Sequence, residues 1–414
     1  MNVDELVSLL QRFEVENNLY SDNLLSKVWK SIRTRLYYSL QKDLAVFSDV
    51  KPRKSLRSSA KATIQVIYNC LFNRPKISTH HKFLVVQHPR TKIHNKNRVD
   101  PYSYEFTRAI AKSSLFLSRT SLGEDGKMLS DSQASLDCLL VLKLLKLKPV
   151  AKNKFDSAER LMELLCESLS VDATKYKNLY TQAISDFLIE EAYFIKMLIN
   201  SSIESVYLVD HYSKNISLVS ACKALDIEVV EFQHGIISKY HLGYSVKNKD
   251  YDWPCYPDLF LAWGEHWLNS VELPRSVKVN YITPTYLSER VKVKKKKQLL
   301  VVSQSVIGKE IANFVIQHLD MEAFDEVIFK LHPSELDISS YYKGIFKNTK
   351  IMVSASNIYP LLNESESILG VFSTVMLEAI DFGCKVFYID LPGAEYIQSN
   401  IAISDVKKEE FYVN

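Results

Sequence analysis

Glycine is scarce in this chain: ten among 414 residues, about a third of the roughly 7% usual in proteins, and none before Gly123. A Walker A loop and a G-x-G-x-x-G turn both need clustered glycines to bring backbone close to phosphate, so both are excluded. The six cysteines (Cys70, Cys138, Cys166, Cys222, Cys255 and Cys384) are widely spread, with no C-x-x-C and no paired His spacing. Neither a zinc site nor a disulfide framework is indicated, and reduced core thiols are expected. No uncharged run approaches the roughly 20 residues that span a bilayer, and the most apolar stretch, 136–147, is interrupted by Asp137, Lys143 and Lys146. Met1 to Phe13 carries Asp4 and Glu5 and no basic leader, so it does not read as a signal peptide. The expected location is the cytoplasm, with peripheral contact at the inner face of a membrane.

What is present is apolar material, 47% of the residues. That is enough for two domains, because single cores rarely grow past roughly 250–300 residues. The net charge of +4 conceals an asymmetry: Lys27 to Arg98 holds 17 Lys and Arg against Asp43 and Asp49, a local +15, leaving 4 − 15 = −11 elsewhere. Such a segment suits a phosphate-rich partner, whether anionic membrane, lipid-linked pyrophosphate or nucleic acid, and equally a solvated lysine-rich face. The interleaved aromatics Trp29, Tyr37 and Phe47 fall at near-helical spacing and read as core, which argues against nucleic acid.

Residues 1–45 read as helical, with Leu6, Leu9, Leu10 and Phe13 at i, i+3, i+4, i+7 spacing. Val28 to Leu44 mixes Trp29, Ile32, Leu36 and Leu40 with Lys30, Arg33 and Arg35, as an amphipathic basic helix, either packed or docked on a membrane. Lys82–Gln87 reads as a buried strand. Ser205–Asp210 as strand, Ser217–Leu225 as helix and Ile227–Phe232 as strand form a βαβ unit, hence a parallel, doubly wound sheet. The charge run 291–298 reads as an interdomain linker between an N-terminal domain, 1–290, and a C-terminal domain, 299–414. Strands are expected at Leu299–Ser303, Glu326–Leu331, Ile368–Val371 and Val386–Ile389, and helices at Glu310–His318 and Thr374–Phe382. The fold class expected is α/β, two Rossmann-like domains facing across a cleft, with extra N-terminal helices. Ligands of open α/β sheets bind beyond the carboxyl ends of strands.

Three clusters sit at such ends. Glu231-Phe232-Gln233-His234-Gly235, with His241 and Tyr244 downstream, presents a histidine just before a glycine turn, with Glu231 placed to orient the ring or to point elsewhere. An imidazole there is suited to general base work. In Lys330-Leu331-His332-Pro333-Ser334-Glu335, proline stops the strand and holds His332 at the rim, where it is suited to donate to a phosphate oxygen. In the third, 370–378, Ser373 and Thr374 are good N-cap residues, and a helix starting there aims free N–H groups and its positive dipole end at the cleft. Glu378, one turn further, is placed to accept hydrogen bonds from a ribose diol. Each cluster alone also fits a plain structural role; together they make a nucleotide site facing a base.

The ordered set resembles the GT-B superfamily of glycosyltransferases, particularly the bacterial surface-polysaccharide (capsule and O-antigen) transferases, and more distantly teichoic-acid polymerases and bacterial sialyl and Kdo transferases. VVEFQHGIISKYHLGYS, YPDLFLAWGEHW, VVSQSVIGKEIANFVIQHL, KLHPSEL and GVFSTVMLEAIDFGCKVFYIDLPG carry the likeness, which covers about 205 to 395. The resemblance implies His234 as general base on the acceptor hydroxyl; Glu231 is a second catalytic candidate from its place in the cluster. It implies His332 at the donor phosphate, Ser373 and Thr374 as the phosphate-binding pair and Glu378 on the ribose; Gln304, Lys330 and Pro333 are further candidates around the donor, and Gln233, Gly235, His241 and Tyr244 candidates at the acceptor or cleft. The acidic triplet that bacterial sialyltransferases use has its only counterpart in the first half at Glu124-Asp125-Gly126, which reads as a surface turn. The one D-x-D, Asp250-Tyr251-Asp252, is not at a strand end, and no metal or other cofactor is expected. The function implied is transfer of a sugar from a nucleotide-activated donor to a surface glycan or lipid-pyrophosphate acceptor, inverting unless Glu231 opens a retaining route. A nucleotide-sugar epimerase of the same architecture, and a non-enzymatic protein binding nucleic acid or anionic membrane, are the alternatives.

Overall fold

The computed structural model describes residues 2–44, 56–90, 92–94, 97–119, 134–145, 152–399 and 406–407. The Glu124-Asp125-Gly126 triplet lies outside them. Two parallel sheets organise the chain. The first contains β1 (Phe83–Val86), β4 (Ser114–Ser118), β5 (Ala134–Ser135), β6 (Ser205–Leu208), β7 (Glu228–Phe232), β8 (Leu259–Ala262) and β9 (Lys278–Tyr281) in the order β5-β4-β1-β6-β7-β8-β9. A small antiparallel hairpin, β2 (Lys92–His94) with β3 (Asn97–Val99), follows β1. The second sheet contains β10 (Lys296–Val302), β11 (Glu326–Lys330), β12 (Ile351–Ser354), β13 (Ser365–Gly370), β14 (Lys385–Tyr388) and β15 (Val406–Lys407) in the order β12-β11-β10-β13-β14-β15.

The strands are short, rich in Val, Leu, Ile and Phe, and largely buried, as parallel strands covered by helices on both faces must be. The two expected α/β halves are therefore present. Strand β10 opens at Lys296, so the end of the basic run 291–298 is strand and not linker. Lys296 pairs with Glu364 at the exposed end of the sheet, while Gln298 is buried and donates to Ser365 Oγ at 2.6 Å.

The N-terminal helices Val3–Glu16 and Leu24–Asp43 are capped by Asn2, in a reciprocal capping box with Glu5, and by Asn23. They pack onto the first half's core through Leu6, Leu10, Trp29, Leu36 and Leu40. The basic character expected on the outer face of the second helix is partly internal: Lys30 and Arg33 are 4% and 2% exposed. Arg33 is held there by Glu14, whose carboxylate also accepts from Trp29 Nε1 at 2.8 Å. The short C-terminal helix Glu395–Gln398 reaches back to the N-terminal half. Its Tyr396 hydroxyl lies 2.7 Å from that of Tyr37 and accepts from Gln41 Nε2 at 2.6 Å. Among the described residues no helix is long and apolar enough to cross a membrane.

Candidate functional site

Parallel order decides where the chemistry collects. In the first sheet β1, β6 and β7 are neighbours, so the residues that follow them meet at one edge: His88 and Arg90, His211 and Tyr212, and His234 and Gly235. In the second, β11, β10 and β13 are neighbours, and their ends bring together His332, Gln304 and Ser373. The two edges line a cleft of about 1130 Å³. Gly235 stands against Thr374 across it, a Cβ at the glycine being 3.8 Å from Thr374 Oγ1.

On the edge from the second sheet, Ser373 occupies the N-cap of the helix Thr374–Asp381 with extended backbone, but its hydroxyl makes no capping bond. The Met376 N–H donates to the Ser373 carbonyl at 3.0 Å, so the Thr374 and Val375 N–H groups are the ones open to a ligand at the positive end of the helix dipole. His332 also caps: its Nδ1 accepts from the Ser334 N–H at 3.2 Å, while Glu335 takes the His332 N–H at 3.0 Å. With Nδ1 an acceptor, the proton of the neutral ring sits on Nε2, a donor suited to a phosphate oxygen. Gln304 Oε1 accepts from the Phe372 N–H at 3.0 Å, tying the β10 and β13 loops together. Glu378 is 8% exposed, lines the cleft and has an Oε2 with no partner. Burial pushes its carboxyl up to about 7, against a lowering hydrogen bond from Tyr359. Pro333 lines the cleft, whereas Lys330 does not: its Nζ donates to the Leu331 carbonyl at 2.6 Å.

On the opposite edge, His234, Gly235 and His241 line the cleft. Burial holds the His234 imidazole down to about 3 and that of His241 to about 4, so both are neutral near pH 7. Glu231, Gln233 and Tyr244 are fully buried behind them. The Gln233 side chain braces the turn, donating to the Gly235 carbonyl at 2.9 Å and accepting from the Trp263 N–H at 2.8 Å. Of the two placements open to Glu231, at the His234 ring or elsewhere by strand alternation, the second holds: its carboxyl meets His211 Nδ1 at 2.5 Å and takes the Tyr244 hydroxyl at 2.7 Å. Strand alternation turns it into the core, away from any nucleophile position. Burial pushes Glu231 well up and His211 well down.

Several residues in or beside the cleft escaped the sequence reading. His88, ring-stacked on His234 at 5.9 Å, is followed by Pro89 at the end of β1, the same His-Pro signal that marked His332. Arg90 lines the cleft and donates to the Tyr102 hydroxyl at 3.2 Å; its charge acts on both His234 and His332. Buried Asp100 joins this loop to Tyr102 by accepting from the His88 and Tyr102 N–H groups. Asp250 of the D-x-D is exposed and paired with Arg275, and Tyr251 stacks on Tyr20 at 4.0 Å. Among the described residues no three His, Cys, Asp or Glu side chains are grouped to hold a metal ion.

No protein-family model and no curated protein matches this sequence. Solved structures resemble it at low identity. The UDP-GlcNAc 2-epimerase from Neisseria meningitidis bound to UDP-GlcNAc is 13% identical, over 79% of this chain and 86% of that one, with a TM-score of 0.41. MurG of Acinetobacter baumannii is 10% identical over 78% and 82%, at 0.37. The spinosyn rhamnosyltransferase SpnG is 11% identical over 77% and 90%, at 0.37.

Proposed function

We propose that this protein transfers a sugar from a nucleotide-activated donor to the hydroxyl of a glycan or lipid-pyrophosphate-linked acceptor. The observation that carries the reading is the pairing across one cleft of neutral His234 with the uncapped N-terminus of the helix Thr374–Asp381. The acceptor O–H gives its proton to His234 while its oxygen attacks the anomeric carbon, and the bond to the donor phosphate breaks. Charge developing on the leaving phosphate meets the first-turn N–H groups, His332 Nε2 and Arg90. Glu378 receives the ribose diol. The same donor phosphate raises the basicity of His234, because a nearby negative charge favours imidazolium. Glu231 is buried away from the cleft, which supports a single, inverting displacement without a carboxylate nucleophile. The reading needs no metal, since these donors and Arg90 supply the offsetting charge.

Thermal stabilisation and donor hydrolysis screened across CMP-, UDP- and GDP-sugars identify the donor. With it saturating, His234→Ala and His332→Ala are each expected to lose roughly 10²–10⁴-fold in turnover; near wild-type rates in both overturn the assignment. Donor incubated alone separates transfer from epimerisation, since an epimerised sugar without acceptor requires the second activity.

A further inference from the structure

Beside a backbone hydrogen bond with Val209, the His234 ring has two hydroxyl contacts whose direction is set from their far ends. At one end the Gly243 N–H, a donor only, points at His241 Nδ1 at 3.2 Å. Neutral His241 therefore carries its proton on Nε2, which lies 3.3 Å from the Tyr212 hydroxyl. Tyr212 accepts there, and its own single proton is left for its other neighbour, His234 Nε2 at 3.4 Å. At the other end Glu231 Oε1 accepts the His211 backbone N–H at 3.2 Å and the Tyr244 O–H at 2.7 Å. Tyr244, its proton committed, offers a lone pair to His234 Nδ1 at 3.4 Å. The outcome holds whether the proton shared over 2.5 Å by Glu231 Oε2 and His211 Nδ1 sits on one or the other, because Oε1 accepts in both cases.

We propose that this one-way chain, Gly243 to His241 to Tyr212 on one side and Tyr244 to Glu231 on the other, fixes the proton of His234 on Nδ1 and reserves the Nε2 lone pair as the base. Tyr244, Glu231, Tyr212 and His241 are positioning residues. The acceptor hydroxyl competes with Tyr212 for Nε2; as its proton arrives, the Nδ1–H of the new imidazolium leans on Tyr244 and, through it, on Glu231. Gly243 belongs to the device for a steric reason as well, since a Cβ there would stand 2.6 Å from the Tyr212 ring. The catalytic meaning rests on the proposed role of His234; the tautomer does not.

Ring ¹⁵N shifts of the ligand-free protein labelled at histidine test it, His234 being identified by the signals lost in His234→Gln. The expected wild-type state is protonated Nδ1 and bare Nε2. Tyr244→Phe removes the acceptor for Nδ1–H and is expected to move His234 toward the Nε2–H form. It should also cost roughly 10- to 100-fold in kcat, less than loss of the base itself, with donor KM within about twofold. A wild-type His234 protonated on Nε2 overturns the proposal, as does a Tyr244→Phe variant with the tautomer unmoved. If that variant does not fold, the wild-type spectrum decides alone. Full turnover by His234→Ala would instead overturn the base assignment and leave the tautomer standing.

Discussion

Gly235 and Thr374, from opposite halves of the chain, face each other with room for one methyl group: a Cβ on the glycine would sit 3.8 Å from Thr374 Oγ1. That is ordinary van der Waals contact, so Gly235→Ala is expected to fold and to bind nucleotide as the wild type does. Gly235→Leu places three further carbons over the helix N-terminus where the phosphate is proposed to sit. We expect nucleotide affinity to fall at least about tenfold by calorimetry, with the melting temperature little changed, because the added bulk enters the cleft and not the core. Unchanged affinity would place the phosphate elsewhere.

Glu378 gives a pH signature that needs no substrate. Its carboxyl titrates near 7 in the folded protein because burial disfavours the charge. The folded state therefore holds a proton that the unfolded chain releases above its ordinary carboxylate range. Stability from this group is fully present below about pH 4.5 and is lost as pH rises through about 7, by on the order of 3 kcal/mol. Glu378→Gln should thus match wild type in denaturant melts at pH 4.5 and exceed it by about that amount at pH 8. Equal stability at both values would mean that the carboxylate is solvated. A ribose bound by the carboxylate form should make wild-type nucleotide affinity rise over the same window, and the glutamine variant should lose this rise.

His332 has two duties that substitutions can separate. It caps its own turn through Nδ1, and it is proposed to hold phosphate through Nε2. His332→Ala should lose both, costing about 1 kcal/mol of stability as capping deletions do. His332→Asp keeps a cap acceptor but sets a negative charge where phosphate binds. It should retain wild-type stability while nucleotide affinity drops roughly 100-fold or more. If His332→Asp binds nucleotide normally, the histidine is only a cap.

The legible parts of this molecule were those with a local signature. The strands β6, β7, β11 and β14 and the helix Thr374–Asp381 carry apolar runs bounded by turn or capping residues, and the structure has them within a few residues of the expected bounds. Each strand also announced which residue ends it, which is how His234, His332 and Ser373 could be named. Side-chain direction behind those ends was not legible. Glu231 and Tyr244 point into the core instead of the cleft, and Lys330 folds back on a carbonyl, because register and packing decide these and a linear pattern does not. Arg90 and His88 escaped for a different reason. Only the adjacency of β1 to β6, with β7 beyond it, brings them beside His234, across more than a hundred residues of chain. Lys30 and Arg33 looked solvated by charge alone, whereas Arg33 is placed by a buried acid nineteen residues earlier and Lys30 lies over the Tyr256 ring.

That acid, Glu14, carries the clearest stability prediction. It is fully buried, with the Arg33 guanidinium 2.8 Å away at two nitrogens and Trp29 Nε1 donating at the same distance. Burial raises its carboxyl and the arginine opposes this, so the two charges are tolerated only together. Glu14→Gln can still accept from Trp29 but leaves the Arg33 charge uncompensated. A loss of roughly 3–5 kcal/mol is expected for the unfolding transition of the N-terminal half in urea. Glu14→Leu combined with Arg33→Met removes both charges and should recover most of that loss. Arg33 also donates to the Ser245 carbonyl at 3.2 Å, two residues beyond Gly243, a tether to the His241 loop that Glu14→Gln keeps and the double variant lacks. Turnover of the double variant should therefore fall at temperatures where it is still folded, despite its restored stability. A double variant with full turnover would show that Arg33 supports the fold but not the base.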